Sequence, residues 1–154
     1  MKKPQFKLTY KDEALDALVR ETDQKTLALW AGACAERVLP YYENEFPQDT
    51  RPREALQALN RWVKTGKFTM ATIRKASLAA HAAAREVGAD NPARSAARAA
   101  GQAVATAHVP AHALGAANYA LQAVHRASPA EEADAAVLQA RAWQIQYLRE
   151  LREA

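Results

Sequence analysis

The sequence predicts an all-α fold, a single compact bundle of six or seven helices, and three observations carry that prediction. About a quarter of the residues are alanine, the strongest helix former and the one with least side-chain bulk. Apolar residues recur at spacings of three and four along most of the chain, the period of a helix with one buried face. Pro52, Gly66, Gly88, Pro92 and Pro129 punctuate these stretches where helices start and stop.

After Phe6, Leu8 and Tyr10, whose alternation fits an extended or irregular segment over residues 1–10, the pattern turns helical. A first short helix is expected over residues 12–20, with Leu15, Leu18 and Val19 on one side. Asp23 is suited to cap a second helix, whose inward stripe reads Leu27, Trp30, Ala31, Cys34, Val38 and Tyr41. Pro40 should kink or stop that helix, because it lacks an amide hydrogen. Pro52 opens a third helix, with Ala55, Leu59, Trp62 and Val63 inside and Gly66 as its stop. Thr69 is expected to cap a fourth, whose stripe is Met70, Ile73, Ser77, Ala80, His81 and Ala84, with Gly88 ending it.

Asn91 and Pro92 read as cap and first turn of a fifth helix. Its inner stripe would be Ala93, Ala97, Ala100, Gly101, Val104 and His108, closely packed because the residues are small. Pro110 should break the chain there. A sixth helix then aligns His112, Gly115, Ala116, Tyr119 and Ala123. Ser128 and Pro129, followed by Glu131 and Glu132, read as the start of a last helix reaching residue 152. That helix carries two apolar arcs: Val137, Leu138, Ala142, Ile145 and Leu148 on one side, and Ala136, Ala140, Trp143, Tyr147 and Leu151 on the other. A surface helix needs only one. The second is expected to be buried or to pair with another copy of the chain, ahead of serving as a recognition surface.

Bulk properties narrow the setting. The 154 residues are 49% hydrophobic and 25% charged, which suits one globular domain over residues 1–154. The single Cys34 excludes an intrachain disulfide and suits a reducing compartment. No apolar run is long enough for a signal peptide or a membrane span, so a cytoplasmic location and no membrane partner are expected.

The net charge of +4 is unevenly spread. Residues 51–75 hold Arg51, Arg53, Arg61, Lys64, Lys67, Arg74 and Lys75 against Glu54 alone. An acidic partner could use this segment. Nucleic-acid binding is disfavoured, since the cations share no helical stripe and no aromatic stacking motif accompanies them.

Catalytic signatures are thin. His108 and His112 are four apart, a spacing at which helical side chains can share a metal, and His81 could join them. Yet no Asp or Glu occurs from residue 91 to residue 129, and Pro110 interrupts the helix. The preferred reading is hydrogen bonding between helices, with no metal and no cofactor. Cys34, on the stripe of Trp30 and Val38, reads as a small buried hydrophobe.

The stretches CAERVLPYYENEFPQDTRPREALQALNRWVKTGK, SLAAHAAAREV and AARAAGQAVATAHVPAHALGAANYALQA together resemble the bacterial putative immunity protein family. This is the all-α group named for its relation to immunity protein five of polymorphic toxin systems. The resemblance covers about residues 26–124. Its most specific parts are the run Arg51, Pro52, Arg53, the block Ala80, His81, Ala82, and the series His108, His112, Gly115, Tyr119. It implies a small cytoplasmic protein that binds and neutralises a cognate toxin by affinity, without cofactor or catalysis. It brings no set of functional residues with it. The residues themselves leave Arg51, Arg53, Arg61 and Lys64, or Trp143 and Tyr147, as candidate contacts for a partner. A histidine-centred metal or ligand site at His81, His108 and His112, and nucleic-acid binding through residues 51–75, are the competing readings.

Overall fold

The computed structural model describes residues 3–8 and 11–154. Seven helices and no strand occur among them: α1 (Glu13–Arg20), α2 (Gln24–Glu43), α3 (Arg51–Thr65), α4 (Met70–Glu86), α5 (Pro92–Ala105), α6 (His112–Ala127) and α7 (Ala130–Glu153). Side-chain caps start three of them. Asp12 accepts from the Leu15 amide, Asp23 from Thr26 and Asn91 from Arg94, each serving a donor that the first turn leaves unpaired. Gly66, at φ +68°, ends α3 in the left-handed conformation that a residue with Cβ avoids.

Helix α5 is the hub. It packs against α2, α3, α4 and α6, and nine of its 14 residues are buried. Seven of the nine are Ala or Gly, which lets neighbouring backbones come close on every side. Helix α2 is the second hub, touching α3, α5, α6 and α7 and burying Trp30 completely. One core cluster draws side chains from all seven helices.

Polar pins hold the helix ends. The Lys3 ammonium donates to the His125 and Ser128 carbonyls at the end of α6, at 2.8 and 2.9 Å. Gln24 donates to the Thr106 and Ala107 carbonyls beyond α5, both at 3.0 Å. Arg152 reaches back to Glu21 O and Thr22 Oγ1 at the corner between α1 and α2. Residues 3–8 form no helix or strand, and Tyr10 lies outside the described residues.

Several local expectations need correction. Pro40 does not stop α2, which continues to Glu43; Pro40 is exposed, so water can serve the carbonyl that loses its helical partner. The inward residue after Val38 is Tyr42, while Tyr41 faces solvent. Thr69 precedes α4 without a side-chain cap bond, and Met70 is exposed. Ser128 closes α6 by donating to the Val124 carbonyl and does not cap α7, whose N-cap is Pro129. His108 is not on the α5 stripe, because α5 ends at Ala105 and His108 stands exposed in the turn before Pro110.

The largest correction concerns α7. Its buried line is Ala133, Val137, Arg141, Gln144 and Leu148, which runs between the two apolar arcs. Arg141 and Gln144 are tolerated inside because they are bonded there. Arg141 donates to Gln144 Oε1 and Asn118 Oδ1, Gln144 Nε2 donates to the Ala117 carbonyl, and Trp30 Nε1 donates to the Gln144 carbonyl.

Candidate functional site

The three candidate histidines converge. His81, His108 and His112 all line one recess of about 320 Å³ between α4, α5 and the start of α6, with Met70, Ile73, Arg74, Ser77, Leu78, Gln102 and Ala105. Helical spacing explains the α4 wall, since Met70, Arg74, Leu78 and His81 follow one another at three- and four-residue steps.

Two glycines shape the floor. A Cβ on Gly101 would lie 2.7 Å from His81 Nε2, so the imidazole of α4 rests directly on the α5 backbone. A Cβ on Gly115 would lie 2.7 Å from Gln102 Oε1, so that amide fits only over a glycine. Gln102 Oε1 accepts from His112 Nδ1 at 2.8 Å, which leaves the His112 Nε2 lone pair free. Arg98 Nη1 lies 3.2 Å from His81 Nδ1, and arginine can only donate, so His81 is neutral with its proton on Nε2. The Ser77 hydroxyl donates to the Gly101 carbonyl at 3.0 Å and ties the two helices together.

Burial, with the charges of Arg98, Arg85 and His112, pushes His81 down from 6.5 to about 4. His112 is lowered by burial and then by His108, and His125 by burial and then by Lys3. These groups fold neutral. The contribution of His81 to stability is complete above the unfolded value of 6.5 and is lost as pH falls from there through about 4. His81 keeps some contact with solvent, which screens the effect to about 1 kcal/mol. The urea midpoint should therefore fall between pH 7 and pH 5, and His81→Asn should flatten that slope. A slope unchanged in the variant would assign the effect to other groups.

Although the three histidines line one recess, no three or more His, Cys, Asp or Glu side chains are placed to hold a metal ion together among the described residues. Cys34 is buried, and burial pushes its thiol up, away from the thiolate a nucleophile needs.

The basic segment divides in two. Arg51 pairs with Asp49 and Glu86, each at 2.6 Å, and Arg53 with Glu36 and Glu43 at 2.7 and 2.8 Å. These guanidiniums brace α3 against α2, α4 and the α2–α3 connection. Arg61, Lys64, Lys67, Arg74 and Lys75 are exposed and form no ion pair among the described residues. On α7, Trp143 stacks on Tyr147 with ring centroids 5.1 Å apart, and Arg37 covers the Trp143 ring at 4.0 Å. Both rings are half-buried against the core.

Exposed apolar side chains collect at the mouth of the histidine recess. Met70 and Leu78 are 42% and 55% exposed, and Phe68, 43% exposed, stacks on His108. Phe68 and Gln102 had no place in the sequence reading. A lone polar residue beside Gly101 in an alanine-rich helix was the available signal for Gln102; nothing in the local sequence marked Phe68.

A family model described as Imm-5 like putative immunity protein matches residues 17–151. The chain belongs to this family. No curated protein and no solved structure matches it. The match extends past the end of α6 and along α7 to residue 151, so the buried Arg141 and Gln144 lie within the Imm-5 like region. The blocks that signalled the family now have physical meanings. Arg51 and Arg53 are the ion-paired braces, while His81, His112 and Gly115 build the α4–α5–α6 junction. The most recognisable residues of this Imm-5 like chain therefore hold its scaffold together.

Proposed function

We propose that this Imm-5 like protein binds a cognate bacterial toxin in the cytoplasm and blocks it by occupying its surface, without catalysis. Family membership over residues 17–151 supports the kind of function. One observation favours a surface: the cations from Arg61 to Lys75 form no ion pair among the described residues, and the same stretch of chain carries exposed Phe68 and Met70. Arginine, methionine and aromatic side chains are what protein interfaces concentrate. Arg51 and Arg53 are poorer candidates, since binding would first have to break their internal pairs. Trp143 and Tyr147 are poorer too, because each already stacks on the other and Arg37 covers Trp143.

The test is co-expression with a candidate toxin encoded in the gene neighbourhood, read as rescue of growth and as a stable complex in gel filtration. Charge reversal at both Arg61 and Lys64 should slow association roughly tenfold at low ionic strength and weaken its salt dependence. Unchanged association kinetics would remove this surface, and failure to rescue or to form a complex would remove the reading itself. No helix is long and apolar enough to cross a membrane among the described residues.

A further inference from the structure

The recess between α4, α5 and α6 has the features of a ligand site in its own right. Its volume of about 320 Å³ suits a small molecule. Its walls are preset by three polar ties: Ser77 to Gly101, Arg98 to His81, and His112 to Gln102. Met70, Ile73, Leu78 and Ala105 supply hydrocarbon. Arg74 brings a guanidinium that forms no ion pair among the described residues, and no carboxylate lines the recess.

The electrostatics have one sign. Arg98 and Arg85 act on the floor at His81, Arg74 stands on the wall, and His108 faces in from the turn. Burial lowers His81 first, and the charges of Arg98 and Arg85 lower it further. Two other recesses lack this combination. The one between residues 4–7 and α7 contains Asp134 as well as Lys7, so it favours neither sign of charge. The one beside Trp143 measures only about 150 Å³, and its Arg37 is engaged on the indole ring.

We propose that this recess binds a small apolar monocarboxylate, with the hydrocarbon against Met70, Ile73 and Leu78 and the carboxylate received by Arg74 and the Gln102 amide. The neutral imidazoles of His81 and His112 line the floor without charge of their own, so the anion is selected by Arg74 and the surrounding arginines. The proposal does not depend on toxin binding.

The test is an NMR titration of the full chain with 3-phenylpropionate, 3-phenylpropionamide, inorganic phosphate, and the peptide acetyl-Gly-Gly-Phe with a free C-terminus. Ring signals of His81, His108, His112 and His125 serve as site reporters. The acid should give saturable shifts at the first three histidines and none at His125. It should bind at least tenfold tighter than the amide and tighter than phosphate. Arg74→Gln, an exposed position, should weaken the acid about tenfold. Ala105→Phe should fill the recess and abolish the shifts, with an unchanged helical spectrum as the folding check.

Three results would overturn the proposal. They are no saturable shift at about 10 mM acid (weaker than the ~4 kcal/mol that a millimolar ligand represents), equal binding of acid and amide, and tighter binding of the peptide than of the free acid. The last would make the ligand a partner's chain end.

Discussion

Replacing Trp30 with alanine is expected to cost about 3–5 kcal/mol of folding stability, the range for removing a fully buried large side chain. Trp30 is 0% exposed and sits on α2, which together with α6 holds α7 to the rest of the bundle. Its indole N–H donates to the Gln144 carbonyl at 2.8 Å. That carbonyl lies beside the Arg141, Gln144 and Asn118 network, so the indole supplies both volume and a polar tie between α2 and α7. Small domains have only about 5–15 kcal/mol in total, so the variant should unfold at a much lower urea concentration. Trp143→Ala is the control. Its ring is half-buried and lies under Arg37, and removing it should cost about 1–2 kcal/mol, less than full burial would. Equal losses at the two positions would contradict this account of the core.

The second large effect is a change of sign. Gly101→Ala should destabilise the protein by about 1–2 kcal/mol, because the new methyl collides with the His81 ring and that ring is held by Arg98. The collision must first overcome the gain of about 1 kcal/mol that alanine brings to a helix interior. In a His81→Ala background the ring is gone, and the same substitution should stabilise by about 1 kcal/mol. Urea unfolding of the four proteins reads the coupling directly. If Gly101→Ala costs the same in both backgrounds, the ring is not what requires the glycine.

Much of the fold is legible in the order of residues because helix signals are local. Asp23, Asn91 and Gly66 each act within about four residues, and each helix end they predict is observed. The stripes of α2 and α5 are legible for the same reason, since apolar residues at one period leave few choices of inward face. Pro40 misled because a proline in the last turn removes a single exposed bond, too little to end a helix held by Trp30, Leu39 and Tyr42.

The candidate site is legible only in part. The sequence supplies His81, His108 and His112 but cannot place them around one recess, because α4 and the turn before α6 meet only across α5. It lists seven cations between residues 51 and 75 but cannot tell braces from free charges. The acids that neutralise Arg51 and Arg53 come from α2, α4 and the connection before α3, up to 35 residues away at Glu86.

The all-α class, the element order, the alanine-lined hub and the family are determined by the sequence by itself, through period, capping and motif order. The tertiary structure decided which face of α7 turns inward, which arginines remain available, and that three histidines share a pocket. Hydrophobicity alone would leave Arg141 and Gln144 outside. They are inside because Asn118 and the carbonyl of Ala117 stand where their hydrogen bonds need them. A polar group's place depends on its partners, and those partners are brought to it only when distant helices pack.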